Sequence, residues 1–84
     1  MNAAGWIEAG PRCSYHDSPS GEEIEVGYLW RIVKNGQERS LRIEIAPGAI
    51  HNDVVVTAIL RNQLAEEDPP ERILVLPGGE LRVT

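Results

Sequence analysis

Four residues of this chain could together bind a metal ion. Cys13 and His16 form a Cys-x-x-His pair, and His51 and Asp53 form a His-x-Asp pair. Zinc in proteins takes four thiolate, imidazole or carboxylate ligands, so the two pairs would complete a site if their loops met. Pairs of this kind also arise by chance, and structural zinc sites usually contain more cysteines. We therefore expect no metal and no cofactor, and keep a metal protein as an alternative.

The same cysteine could be a nucleophile. Cys13, His16 and Asp17 contain the residue types of a thiol, a base and an orienting acid. In thiol enzymes these groups normally converge from separate segments, whereas here they lie within five consecutive residues. We predict a non-catalytic chain, and the alternative enzyme would use Cys13, His16 and His51.

The charge balance bears on the class of partner. Thirteen acidic and eight basic residues give a formal net charge of −5, with acidic clusters at 22–25 and 66–71. Such a chain repels a phosphate backbone, which disfavours nucleic-acid binding. A second alternative is that the acidic clusters imitate nucleic acid and attract a basic protein.

Length and composition predict one small soluble domain over 1–84. A chain of 84 residues has room for one modest core. It has no apolar run long enough to span a bilayer, and its start lacks the features of a secretory signal. Cys13 is the single cysteine, so no internal disulfide can form. We expect a cytoplasmic protein without membrane contact.

The clearest structural pattern is a β-hairpin over 24–46. Two alternating runs flank Asn35-Gly36, the pair best suited to a type I′ turn. With these two residues in the turn, the register pairs Leu29 with Arg42 on the outer face of the hairpin. The inner, core-facing pairs are Trp30 with Leu41, Tyr28 with Ile43, and Val26 with Ile45.

A second hairpin is predicted over 72–84. Gly78-Gly79 could form a two-residue turn between two short apolar runs. That turn would leave Val75 and Arg82 on the outer face. The predicted inner pairs are Leu76 with Leu81 and Leu74 with Val83.

A helix is predicted between the hairpins, over 50–67. Asn52 or Asp53 can cap its start, and Asp68-Pro69-Pro70 would end it. A buried strand over Val54–Leu60 is the competing interpretation, because this run is rich in β-branched residues. Four residues at helical spacing would face the sheet: Val56, Ile59, Leu60 and Leu64.

These elements predict a two-layer α+β fold. Two hairpins would form a mostly antiparallel sheet, with the helix packed on one face. Residues 1–23 form a weakly structured N-terminal segment, with short candidate strands at Trp6-Ile7 and Cys13–Tyr15.

The function predicted from these features is a small non-catalytic protein–protein interaction or regulatory module. An inhibitor, an antitoxin-like partner or an accessory subunit would fit, and the partner is another protein or a second copy. The helix is apolar beyond the stripe that covers the sheet. Either this second stripe binds a partner or Trp6 and Ile7 fold over it. The candidate partner-binding residues are Val55, Ala58, Ala65, Glu66 and Glu67.

Overall fold

The computed structural model of the chain describes residues 5–83. These residues form six strands and one helix. In chain order the elements are β1 (Ile7–Glu8), β2 (Cys13–Tyr15), β3 (Val26–Lys34), β4 (Gln37–Ile45), α1 (Asp53–Leu64), β5 (Arg72–Val75) and β6 (Leu81–Val83).

The central hairpin of β3 and β4 has the register that the sequence predicts. Asn35 and Gly36 have φ angles of 51° and 82°, as a type I′ turn requires. Trp30 pairs with Leu41, and Leu29 pairs with Arg42. The alternate residues of both strands therefore turn their apolar side chains to the helix face of the sheet, where they are buried.

The six strands form one open sheet in the order β1-β3-β4-β5-β6, and β2 also pairs with β3. All strand pairs are antiparallel except β4 with β5, which are parallel and joined through α1. A parallel pair needs a crossover, and this one carries the helix across a face of the sheet. The predicted α+β class, with one helix and a mostly antiparallel sheet, agrees with this arrangement.

The segment after β4 is a helix, so the competing strand over 54–60 is wrong. The Asn52 side chain accepts a hydrogen bond from the backbone N–H of Val55 at 2.9 Å, which satisfies a free donor at the helix start. The helix ends at Leu64, three residues earlier than predicted. Its buried residues are Val56, Ile59 and Leu60. Within residues 5–83 no helix has the length and apolar character needed to cross a membrane.

The predicted register of the second hairpin is wrong by one residue. Val75 pairs with Leu81, whereas the prediction paired Leu76 with Leu81. The Gly79 N–H donates to the Leu76 carbonyl at 3.0 Å, so Pro77-Gly78 takes the centre of the turn, where proline and a positive-φ glycine suit a type II turn. With this register Val75, which was predicted on the outer face, lies on the helix face together with Leu81.

The N-terminal segment runs along the outer edge of β3. Ile7 pairs with Val33, and Cys13 pairs with Leu29. Trp6 is buried in the core, and its backbone N–H donates to the carbonyl of Leu64 at the end of α1. Trp6 thus reaches the end of α1, but Val54, Ala58 and Ala65 of the second helical stripe remain exposed, so Trp6 and Ile7 do not cover that stripe. The parts of the predicted segments at 1–4 and 84 lie outside the described residues.

Candidate functional site

An apolar groove lies between α1 and β6, on the helix face of the sheet. Its wall carries large apolar side chains that solvent reaches: Val54 is 79 % exposed, Ile50 61 % and Leu81 46 %. Exposed apolar side chains that lie side by side are characteristic of binding surfaces. The complete lining is Ile50, Val54, Val55, Ala58, Ile59, Asn62, Val75, Gly79 and Leu81.

The groove is open because the sheet is wider than the helix that covers it. The buried residues of α1 pack with the helix-facing side chains of β3, β4 and β5. β6 lies one strand beyond, at the end of the sheet. Leu81 and Val83 pair with helix-facing residues of β5, yet both remain exposed. One helix therefore leaves the last strand bare on this face.

Two of the predicted partner-binding residues, Val55 and Ala58, line the groove. Ala65, Glu66 and Glu67 follow the end of α1 and are exposed outside the groove lining. Leu81 was predicted on the inner face of the second hairpin, but its exposure was missed, because the sequence alone did not show that α1 stops short of β6. The turn pattern Pro77-Gly78 was the feature of the sequence that could have corrected the predicted face of Val75, which also lines the groove.

The metal-ligand candidates are not brought together. His16 and His51 have separate partners: His16 Nδ1 lies 3.1 Å from the Glu25 carbonyl oxygen, and His51 Nε2 lies 2.5 Å from the Tyr28 hydroxyl. Asp53 pairs with Arg12 at 3.4 Å. Cys13 is an exposed free thiol. Among residues 5–83, no three or more histidine, cysteine, aspartate or glutamate side chains are arranged to hold a metal ion.

The opposite face of the sheet carries a buried carboxylate that sequence reasoning missed. Glu44 in β4 is fully buried. Its carboxylate accepts hydrogen bonds from the Tyr15 hydroxyl at 2.6 Å, Arg72 Nε at 2.6 Å and the Ser18 hydroxyl at 3.0 Å. A buried charge is tolerated when it is paired and hydrogen-bonded in this way. Glu44 therefore ties segment 15–18 to the sheet.

The protonation of Glu44 and Tyr15 follows from these contacts. Burial raises the pKa of Glu44, but the hydrogen bonds from Tyr15, Arg72 and Ser18 outweigh burial and leave this pKa below its ordinary value. Burial and donation to Glu44 raise the pKa of Tyr15 to about 12. Near neutral pH Glu44 is ionised and Tyr15 keeps its proton, so neither has a pKa suited to proton transfer.

The network extends to the acidic cluster at 22–25. Glu22 accepts from Arg72 at 3.0 Å and from Arg82 in β6, and hydrogen bonds from both arginines lower its pKa. One feature of the sequence indicates that the Tyr15 side chain lies close against β3. Gly27 lies inside β3, and a Cβ there would come within 2.4 Å of the Tyr15 ring. Glycine inside a strand often marks such a close approach.

Comparison of the chain with family models, with curated proteins and with solved structures finds no match. The geometry of the two surfaces therefore carries the information about function. The Glu44 network is closed and internally satisfied, whereas the groove beside α1 presents apolar atoms to solvent. Of the two, the groove is the candidate site.

Proposed function

We propose that the protein is a non-catalytic interaction module that binds a partner protein through the groove between α1 and β6. In this proposal the domain acts as a two-layer scaffold. The helix layer supplies Val54 and Ala58, and the sheet layer supplies Leu81. The single observation that carries the proposal is the exposure of these apolar groove walls.

Binding of a partner in the groove is favoured by the removal of apolar surface from water. Burial of apolar area stabilises a complex by about 25 cal/mol per Å² before the costs of association. Ile50 and Val54 contribute the largest exposed aliphatic surfaces of the groove, and both lie near the start of α1. A partner that covers these two side chains therefore gains most of its binding free energy near the start of α1.

The groove also favours this function over the two alternatives. A metal protein or thiol enzyme built on Cys13, His16 and His51 needs groups that converge, and these three have different neighbours. The acidic clusters that a mimic would use are partly neutralised, because Glu22 is paired with two arginines and Asp68 with Arg39 at 2.5 Å, and only part of the second cluster, such as Glu66 and Glu67, is exposed without such a pair.

The proposal is tested by photo-crosslinking in cells that naturally contain this protein. A photo-reactive amino acid is introduced at position 58 of the full chain. We expect a discrete crosslinked product, whose second component is identified by mass spectrometry. Ile50→Glu should abolish the product, because a carboxylate in the groove cannot be desolvated without a large penalty.

Ile7→Glu is the matched control. Ile7 is 63 % exposed, close to the 61 % of Ile50, but it lies on β1 at the far edge of the sheet. A glutamate at this distant position should leave the amount of crosslinked product unchanged. A product that survives Ile50→Glu, or the absence of any product from position 58, would contradict the proposal.

A further inference from the structure

We infer that the partner protein is a second copy of this chain, with the two α1 helices packed antiparallel about a two-fold axis at Thr57, on the side of α1 that borders the groove. This inference rests on the proposed docking function and names its partner. Three features of α1 support it: a self-complementary charge pattern, small and apolar residues beside that pattern, and the exposure of the charged side chains.

The charge pattern on α1 is self-complementary. Asp53, Thr57 and Arg61 are spaced four residues apart, and all three border one surface depression along the helix. Residues four apart lie above one another on a helix. Thr57 is the midpoint, so an antiparallel second helix places its Arg61 opposite Asp53 and its Asp53 opposite Arg61. A two-fold axis makes both contacts at once.

Apolar and small residues lie directly beside this charged stripe. Val54, Ala58 and Asn62 form the adjacent row, and they border both the depression and the groove. Ala58 lies next to the proposed axis, where a small side chain lets two helices approach to about 8–10 Å. A second helix at this distance would cover Val54, the most exposed large apolar side chain of the groove.

Both charges are available to a second copy. Within the described part of the chain Arg61 makes no ion pair. The contact of Asp53 with Arg12 is long, at 3.4 Å, and leaves the Asp53 side chain 82 % exposed. An intermolecular pair of Asp53 with Arg61 therefore requires no loss of a buried contact.

The inference is tested by reversing one charge at a time and then mixing the variants. Asp53→Arg brings two arginines together at each contact, and Arg61→Glu brings two carboxylates together. Each variant should dimerise about ten-fold more weakly than the native chain, because like charges face each other twice. Sedimentation equilibrium across a concentration series measures this, and circular dichroism checks that both variants remain helical.

The decisive measurement is an equimolar mixture of Asp53→Arg and Arg61→Glu. Every contact in a heterodimer of these two chains joins opposite charges, so dimers should reappear and native mass spectrometry should find mainly heterodimers. A loss of helix stability in either variant cannot produce this selective recovery. Ile7→Glu should dimerise like the native chain.

Two results would overturn the inference: a native chain that remains monomeric up to about 1 mM, or a mixture that shows no preference for the heterodimer. Either result is distinguishable from failure of the proposed function. A monomeric chain whose position 58 still crosslinks to a different, identified protein, in a manner that Ile50→Glu abolishes, leaves the docking function intact. A monomeric chain without that product contradicts both.

Discussion

The sheet face that carries Glu44 and the helix face beside β6 are covered in opposite ways. On the Glu44 face, segment 15–22 lies over the strands and its polar groups meet a buried carboxylate. On the helix face, α1 covers the middle strands and stops short of β6, leaving Val54 and Leu81 in solvent.

This difference shows which of the two faces is covered by residues of the same chain. The buried carboxylate of Glu44 is hydrogen-bonded by three side chains of the same chain, so on the Glu44 face polar contacts within the chain satisfy the buried charge. The groove has apolar walls and no cover from residues 5–83. We therefore expect substitutions on the Glu44 face to lower the free energy of unfolding, and substitutions in the groove to lower association instead.

The largest loss of stability is expected where the helix face is fully closed. Trp30 is 2 % exposed under the helix layer, and Trp30→Ala should lower the free energy of unfolding by about 3–5 kcal/mol. Urea denaturation followed by circular dichroism measures this. An unchanged midpoint would show that the closed part of this face does not depend on Trp30.

Loss of the buried Glu44 carboxylate should cause the second-largest decrease in the free energy of unfolding. Glu44→Gln removes the charge to which Tyr15, Ser18 and Arg72 donate, and should cost on the order of 3 kcal/mol at neutral pH. The pKa of Glu44 is lowered by folding, so its ionisation stabilises the native state above the ordinary carboxyl pKa. This stabilisation is lost as the pH falls below that value toward the pKa in the folded state.

The free energy of unfolding of Glu44→Gln should therefore depend less on pH in this acidic range than that of the native chain. Glu23→Gln is the control, because Glu23 is exposed on the neighbouring loop. Equal acid dependence in the native chain and Glu44→Gln would contradict the contribution of this carboxylate.

Gly27→Ala should cost somewhat less, about 2 kcal/mol. Its Cβ would come within 2.4 Å of the Tyr15 ring, so the ring must move away from the sheet. In a Tyr15→Ala background the same substitution should cost much less, and the double-mutant cycle isolates this contact. An equal cost in both backgrounds would mean that the strand, rather than the tyrosine, requires glycine.

The smallest effect on stability is expected in the groove. Val54 is 79 % exposed and Val56, two residues on, is fully buried. Val54→Ala should change the free energy of unfolding by less than about 0.5 kcal/mol, and Val56→Ala should cost about 2–3 kcal/mol. A comparable loss in both variants, measured on dilute protein, would mean that the groove is closed within one chain.

Local patterns of the sequence predicted the elements whose partners are near in the chain. Asn35-Gly36 determined the register of the central hairpin, and Asn52 with the later apolar spacing indicated α1 and its buried side. The second hairpin was harder to predict, because Gly78-Gly79 and Pro77-Gly78 are both good turns. The two turns differ by one residue in register, which reverses the face of Val75.

The sequence by itself determined the class of the fold, the central register and the apolar second stripe of α1, because these depend on turn geometry and on periods of two and 3.6 residues. Only the tertiary structure decided that Tyr15, Ser18 and Arg72 meet at Glu44 and that α1 stops short of β6. Contacts between residues 26–29 positions apart in the chain leave no local period. The width of a sheet relative to its helix depends on which strands pair, and this too has no local pattern.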